Sequence, residues 1–181
     1  MATMATMATF EELEARWQAA SARPPSQRVA ALVVRLGNGE HATPAQIQLS
    51  PQHGVAGDRW AQGETPDPES QISLMDRRVI EVIAGDGAER LQAPGDNVVV
   101  ELDLDESALP VGTRLQVGTA VVEITAKLHT GCAKFRARMG DEALRWINAA
   151  PNRSRRLRGV YARIVSAGVV SVGDRVSRAG A

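Results

Sequence analysis

Apolar positions recur along this chain at two different periods. Phe10, Leu13 and Trp17 fall three and four residues apart, which predicts a short amphipathic helix near 10–21. Thr9 followed by Glu12 has the form of a capping box, in which each side chain satisfies an otherwise unpaired backbone N–H. Pro24-Pro25 ends that helix. From Arg28 onward the period shortens. Val29–Leu36 is rich in β-branched and apolar residues and is followed by the turn residues Gly37-Asn38-Gly39. Further strands are predicted over Ala45–Leu49, Gln71–Met75, Asn97–Leu102, Arg114–Val117, Ala120–Ala126, Val160–Val165 and Val169–Val176. Two more helices interrupt them. Asp76 is expected to cap one running to about Ile83, with Val79, Ile80 and Ile83 on one face. Asp141 is expected to cap the other, Asp141–Asn148, whose apolar residues are Leu144, Trp146 and Ile147.

The stretch from Ser50 to Ser70 holds prolines 51, 66 and 68 and glycines 54, 57 and 63, and reads as a loop long enough to be functional or mobile. Two short segments echo each other, Val111-Gly-Thr-Arg-Leu115 and Val172-Gly-Asp-Arg-Val176, each joining a loop to a strand through a glycine corner. Many short strands, glycine corners and few helices predict a mainly β fold, a mostly antiparallel closed barrel with a few peripheral helices. The expected division is a tail and helix over 1–28 and one domain over 29–178.

Composition sharpens this picture. The 181 residues suit one domain. Hydrophobic residues make up 44% but aromatics only 3%, so the core must be built mainly from Val, Leu, Ile and Ala. No run of about 18 apolar residues exists to span a bilayer. The opening Met-Ala-Thr triplet, read three times, lacks the charged and apolar regions of a signal peptide and reads as a disordered start or as alternative initiation sites. A single cysteine forms no internal disulfide, which fits a reducing cytoplasm.

The net charge of zero hides a division. Residues 1–126 carry 9 Lys+Arg against 18 Asp+Glu, whereas residues 127–181 carry 12 against 3. Either the C-terminal third presents positive potential to something anionic, or the two regions pair across one folded surface.

The segment Lys127-Leu-His-Thr-Gly-Cys132-Ala-Lys-Phe-Arg-Ala-Arg138 holds the densest candidate chemistry. Cys132 sits beside a glycine, and His129, Lys134, Arg136 and Arg138 lie within six residues of it. Nearby positive charge favours a thiolate, which is both nucleophile and metal ligand. The competing reading is a small buried hydrophobe, as many lone cysteines are. His41, His53 and His129 show no ligand spacing, and one thiolate does not make a four-ligand zinc site. Soft sulfur suits a thiophilic metal that a cofactor already holds. A cysteine hydrolase needs a base and an orienting group as well, and His129 is the one nearby base. Neither Gly-x-Gly-x-x-Gly opening a helix nor a phosphate loop ending in Gly-Lys-Ser/Thr is present.

Six blocks of the chain, taken in order, resemble the MOSC domain family. They are Gly57-Asp58-Arg59, Gln71-Ile-Ser-Leu-Met-Asp76, Pro94-Gly-Asp-Asn97, Leu109-Pro-Val-Gly-Thr-Arg-Leu115, Gly131-Cys132-Ala-Lys134, and Arg158-Gly-Val-Tyr-Ala-Arg163 ahead of Val172-Gly-Asp174. The resemblance runs from about Val29 to Ser177. This family is named after the C-terminal domain of molybdenum cofactor sulfurases and includes amidoxime-reducing proteins and small stand-alone bacterial members. The resemblance implies a strand-rich barrel and a cofactor of molybdopterin type. It implies that Cys132 carries a persulfide sulfur or ligates molybdenum, and that Asp96 and Asn97 lie near the pterin.

The cofactor-binding set expected on this basis is Asp58, Arg59, Asp96, Asn97, His129, Thr130, Lys134, Arg158 and Arg163. Sulfur or electrons are expected from a cysteine desulfurase or an electron-transfer protein, because this chain has no room for a pyridoxal-phosphate domain and carries no iron–sulfur or flavin domain. Trp60 departs from the histidine that many relatives have after Gly-Asp-Arg.

Each assignment has a plainer alternative. Asp58 and Arg59 are equally suited to pair with each other and shape the long loop. Asp96-Asn97 also suits a turn. Trp60 serves either as a ring cover or, more commonly, as a loop anchor, and Trp146 is expected in the core. Arginine forks suit phosphate, but Arg153 and Arg155 are expected to be solvated, while Arg158 and Arg163 flank the last core strand. A nucleic-acid-binding role for the basic third finds little stacking equipment, with one Tyr and two Phe in the chain.

Overall fold

In the computed structural model, which describes residues 8–180, seven strands curl into a nearly closed barrel. The first seven residues, with most of the repeated Met-Ala-Thr triplet, lie outside the described residues. Around the barrel the order is β1 (Val29–Leu32), β7 (Val98–Val100), β6 (Ile72–Asp76), β10 (Val160–Ser166), β9 (Ala120–Ile124), β8 (Arg114–Val117) and β12 (Val176–Arg178). Every pairing is antiparallel except β6 with β7. The approaches to β1 and β12 draw the two edges together. Val29 N–H donates to Asp174 C=O at 2.9 Å, Gly173 N–H to Val29 C=O at 2.8 Å, and Val176 N–H to Gln27 C=O at 2.8 Å. Two smaller sheets complete the fold, β2 (Val34–Gly37) with β3 (Glu40–Ala42), and β4 (Gln46–Ser50) between β5 (Gly54–Val55) and β11 (Gly168–Ser171). The mainly β, mostly antiparallel barrel expected from the strand pattern is therefore the fold.

Two strands predicted as single are each divided. The run Val29–Leu36 leaves the barrel after Leu32, where Val33 N–H donates to Asn97 C=O at 2.8 Å, and then enters the β2–β3 hairpin. Its turn holds Asn38 at φ 48 and Gly39 at φ 84, the left-handed pair that a two-residue hairpin of this twist requires. Val169–Val176 divides likewise into β11 and β12, with Gly173 at φ 91 between them. A valine-rich run satisfies the strand pattern equally well in either sheet, so its pattern does not show where the chain changes partners.

β6 and β7 are buried on both faces, which explains their unbroken apolar reading. Ile72, Leu74, Val98 and Val100 face the barrel interior, and Met75 and Val99 join a second core beneath the helices. That second core takes Leu13 and Trp17 from α1 (Phe10–Ser21), Val79, Ile80 and Val82 from α2 (Arg77–Ala84), and Trp146 and Ile147 from α4 (Asp141–Asn148). The Thr9–Glu12 capping box is formed, and Asp76 accepts from Arg78 N–H at 2.9 Å as the cap of α2. Ile83 is only half-buried, with Val82 taking the core position predicted for it. Trp146 is fully buried, as expected, and its indole N–H donates to Glu14 at 3.0 Å. Asp141 is not a cap. It is the first residue of α4, and Gly140 at φ 93 makes the corner before it. That corner follows a helix the pattern did not predict, α3 (Ala133–Met139), in which only Phe135 and Met139 are buried among charged residues.

Candidate functional site

After β9 the chain crosses the barrel end as an irregular strap, residues 125–132, before turning into α3. Cys132 is the residue capping α3, in extended backbone conformation, and it is exposed. The alternative of a small buried hydrophobe therefore does not describe it. Partial burial pushes its thiol up, but the backbone N–H groups of Phe135 and Lys134, with the charges of Arg158 and Lys134, outweigh this and hold it below the usual thiol range.

Cys132 stands at a cavity of about 290 Å³. His129 and Thr130 reach it from the strap, Lys134 and Arg138 from α3, and Arg59 from the long loop. Arg35 and His41, cross-strand partners in the β2–β3 hairpin, line it too. Gly95 is required here. It sits at φ 82, and a Cβ on it would lie 2.8 Å from the Arg138 guanidinium and 3.0 Å from the His41 ring.

Three buried polar side chains form the wall behind this space. Asp96 is 1% exposed and accepts from Arg158 Nη1 at 2.5 Å. His129 Nδ1 stands 3.6 Å from Asp96 Oδ1, too far for a hydrogen bond, and among the described residues Asp96 Oδ1, His129 Nδ1 and Arg158 Nε all lack partners. The His129 ring stacks on Tyr161 at 4.0 Å between centroids, and the Arg158 guanidinium lies over Phe135 at 5.0 Å. Burial pushes the Asp96 carboxyl up, but the charge and hydrogen bond of Arg158, with the other polar groups around it, together outweigh this and hold the group below the usual carboxylate range. Burial takes His129 the other way, down to about 3 despite the attraction of Asp96, so its imidazole is neutral at pH 7.

The expected set is thus brought together only in part. Arg59, Asp96, His129, Thr130, Cys132, Lys134 and Arg158 share the cavity. Asp58 does not line it, and its ion pair is with Arg35 rather than with Arg59. Asp58 accepts from Arg35 N, Nε and Nη2 at 2.8–2.9 Å and from Trp60 N–H and Asn97 Nδ2 at 2.9 Å. It acts on the cavity through Arg35. Asn97 is fully buried, donates also to Val33 C=O and accepts from Ser73 N–H, so its amide is committed to the fold. Arg163 is directed away, half-exposed and paired with Glu69 at 3.5 Å and with Glu123. It shares the face of β10 that carries Tyr161 but lies one repeat further along the strand, directly opposite Glu123 on β9. Trp60 is a loop anchor. Its indole N–H donates to Asp67 C=O at 3.0 Å and its ring covers Gly54.

Much of the charge division resolves by pairing. Lys127 meets Asp67, Arg155 meets Glu14, Arg156 meets Glu106, and Arg158 meets Asp96, each joining the basic third to the acidic part. Arg155, expected to be solvated, instead ties its loop to α1. Arg59, Lys134 and Arg138 form no ion pair among the described residues, so three unpaired cations border the cavity at Cys132. Sequence reasoning missed Arg35, His41 and Tyr161. Tyr161 lies inside the Arg158–Arg163 block, whereas nothing local marks Arg35 or His41, which the hairpin alone brings to the site.

Among the described residues no helix is long and apolar enough to cross a membrane, and no three His, Cys, Asp or Glu side chains gather as a metal-holding group. The fold is similar to the YuaD protein from Bacillus subtilis, at a TM-score of 0.60 and 15% identity over 82% of this chain and 93% of that one. It is similar to YiiM from Escherichia coli, with a TM-score of 0.56 and 16% identity over 85% of this chain and 70% of that one. YiiM from Geobacillus stearothermophilus gives 0.52 and 16%, covering 83% and 74%. No curated protein sequence matches at a significant level. The MOSC domain profile matches residues 58–177, two-thirds of the chain and every element from the long loop through the last barrel strands, and the chain belongs to the MOSC domain family.

Proposed function

We propose that this protein holds a phosphorylated, sulfur-rich cofactor of molybdopterin type in the Cys132 cavity, with the Cys132 thiolate as metal ligand or as carrier of a sulfane sulfur. One observation carries the reading: the exposed, acidified Cys132 thiol opens onto a cavity bordered by Arg59, Lys134 and Arg138, which form no ion pair among the described residues and outnumber the single unpaired carboxylate there, Glu40. The donor set fits such a group. Guanidinium forks suit a phosphate, and Arg59 and Arg138 are free to offer them. Arg158 Nε and His129 Nδ1 are buried without partners, which leaves hydrogen-bonding capacity that a polar ligand can use. With no cluster of ligating side chains among the described residues, Cys132 is the one soft ligand offered, and the cofactor must hold the rest of the metal's coordination.

When bound, such a cofactor supplies two-electron redox chemistry and a sulfur-accepting metal. The protein's own groups have defined tasks. Arg35, fixed by Asp58, and Arg59, Lys134 and Arg138 bind and orient the anion. Neutral His129 presents an imidazole that accepts or donates one hydrogen bond according to its tautomer. In sulfur transfer, the Cys132 thiolate attacks the outer sulfur of a donor persulfide; a new S–S bond forms and the donor thiolate leaves. This makes a cysteine desulfurase the partner for cofactor sulfuration. An electron-transfer protein takes that place if the cofactor reduces N-hydroxylated compounds.

Protein produced in cofactor-competent cells tests the reading by metal analysis and by the fluorescence of oxidised pterin. Co-purifying molybdenum and pterin are expected. Molybdenum equal in the native protein and Cys132→Ala overturns the ligand role. The carrier role predicts an added mass of about 32 Da on Cys132 after sulfur-donor loading, removed by reductant. A persulfide without pterin assigns the metal-free carrier, and absence of both overturns the proposal.

A further inference from the structure

A second and larger cavity, about 520 Å³, shares the strap residues Lys127–Thr130 and Arg158 with the cysteine cavity but does not contain Cys132. Its volume lies within the about 300–1,000 Å³ of small-molecule sites. Its walls differ in character from those of the first. Ile147, Leu157 and Val160 supply a buried apolar lining, and Val111 and Leu128 continue it outward, 52% and 80% exposed. Large apolar side chains left in water at a concavity favour an apolar occupant.

The charged groups are placed unevenly. Arg156 is held by Leu109 C=O at 2.6 Å and by Glu106 at 3.8 Å, and Lys127 is turned to Asp67. Asn148 is committed to the strap, accepting from Gly131 N–H at 3.0 Å, and Asn152 donates to Trp146 C=O at 2.7 Å. Arg153 is exposed and has no carboxylate partner among the described residues. Arg158, 9% exposed at its side chain, has its Nε unbonded. The cavity therefore combines an apolar body with a free guanidinium.

We infer that this cavity is a second ligand site, for a small organic anion with a flat apolar body. Its apolar part lies along Val111, Leu128 and Val160, and its anionic group meets Arg153. The site excludes Cys132 though it shares strap residues with that cavity, and its test reads a probe rather than the cofactor, so the two proposals can fail separately.

The test uses the full-length native protein, its fold verified by near-ultraviolet circular dichroism, titrated with 1-anilinonaphthalene-8-sulfonate. One saturable site is expected. Arg153→Glu, an exposed substitution, weakens binding about tenfold or more, as expected for loss of a charge-assisted contact. Val111→Trp, which fills the mouth, weakens it similarly. The neutral analogue N-phenyl-1-naphthylamine responds to Val111→Trp but not to Arg153→Glu, and Cys132→Ala changes neither affinity. Non-saturable binding, or equal binding by the native protein and both cavity variants, overturns the inference. Loss of binding on Cys132→Ala with retention in Arg153→Glu and Val111→Trp moves the probe to the cysteine cavity and overturns it equally.

Discussion

Asp58 and Asp96 are both buried carboxylates paired with an arginine, and they differ in how completely their oxygens are used. Asp58 accepts five hydrogen bonds, three from Arg35 and one each from Trp60 and Asn97. Among the described residues, one oxygen of Asp96 has no partner, and neither have the facing His129 Nδ1 and the Arg158 Nε. A satisfied buried charge fixes structure; an unsatisfied one costs stability and is kept where something else is to be bound or moved. The difference separates a strut that aims Arg35 from a wall that retains capacity toward the cavity.

Removing the strut should do the most damage. Asp58→Ala leaves Arg35 buried without its counter-charge, and a loss of about 3–5 kcal/mol is expected in urea unfolding. A loss under 1 kcal/mol would erase the distinction. Asp96→Asn gives up one ion pair and is expected to cost about 1–3 kcal/mol. Part of this should return on adding inorganic phosphate, which reaches Arg158 from the cavity.

Acid titration sharpens the same contrast. His129 takes its proton at about 3 in the fold against 6.5 ordinarily, so the unfolded chain is protonated first. Stability is complete above about pH 6.5 and falls as pH drops toward 3. By pH 5 the native protein should have lost about 2 kcal/mol that His129→Gln does not lose, measured by unfolding at pH 7 and pH 5. Asp58 and Asp96, both depressed, lose their contributions only below the ordinary carboxylate range, in the same direction. The smallest effect belongs to Cys132→Ala. Its exposed position predicts a stability change within about 0.5 kcal/mol, with complete loss of persulfide loading by mass spectrometry.

The helices show how far local pattern reaches. α1 was legible because its cap and its apolar spacing both lie within one segment. α3 was not, because its seven residues bury only Phe135 and Met139, and the pattern of so short a helix is lost among its charges. The candidate site divides along the same line. Cys132, Lys134 and Arg138 were visible together because they follow one another in the chain, and Arg158 because it opens the Arg158–Arg163 block that resembles the family. Arg163, five residues beyond, looked equivalent, yet its place further along β10 sets it opposite Glu123, with which it pairs.

By itself the sequence determined the strand-rich barrel, the helix over 10–21 with its capping box, and the cysteine in a basic segment. These depend on residues near one another, whose spacing and turn chemistry act before distant parts of the chain meet. Only the tertiary structure decided that Asp58 belongs to Arg35, that two valine runs each change sheet, and that Asp96, His129 and Arg158 face one another unsatisfied. Pairings of this kind join residues 23 to 62 positions apart. No local pattern encodes them, because closing the barrel, and not propensity, sets which buried charges come within reach.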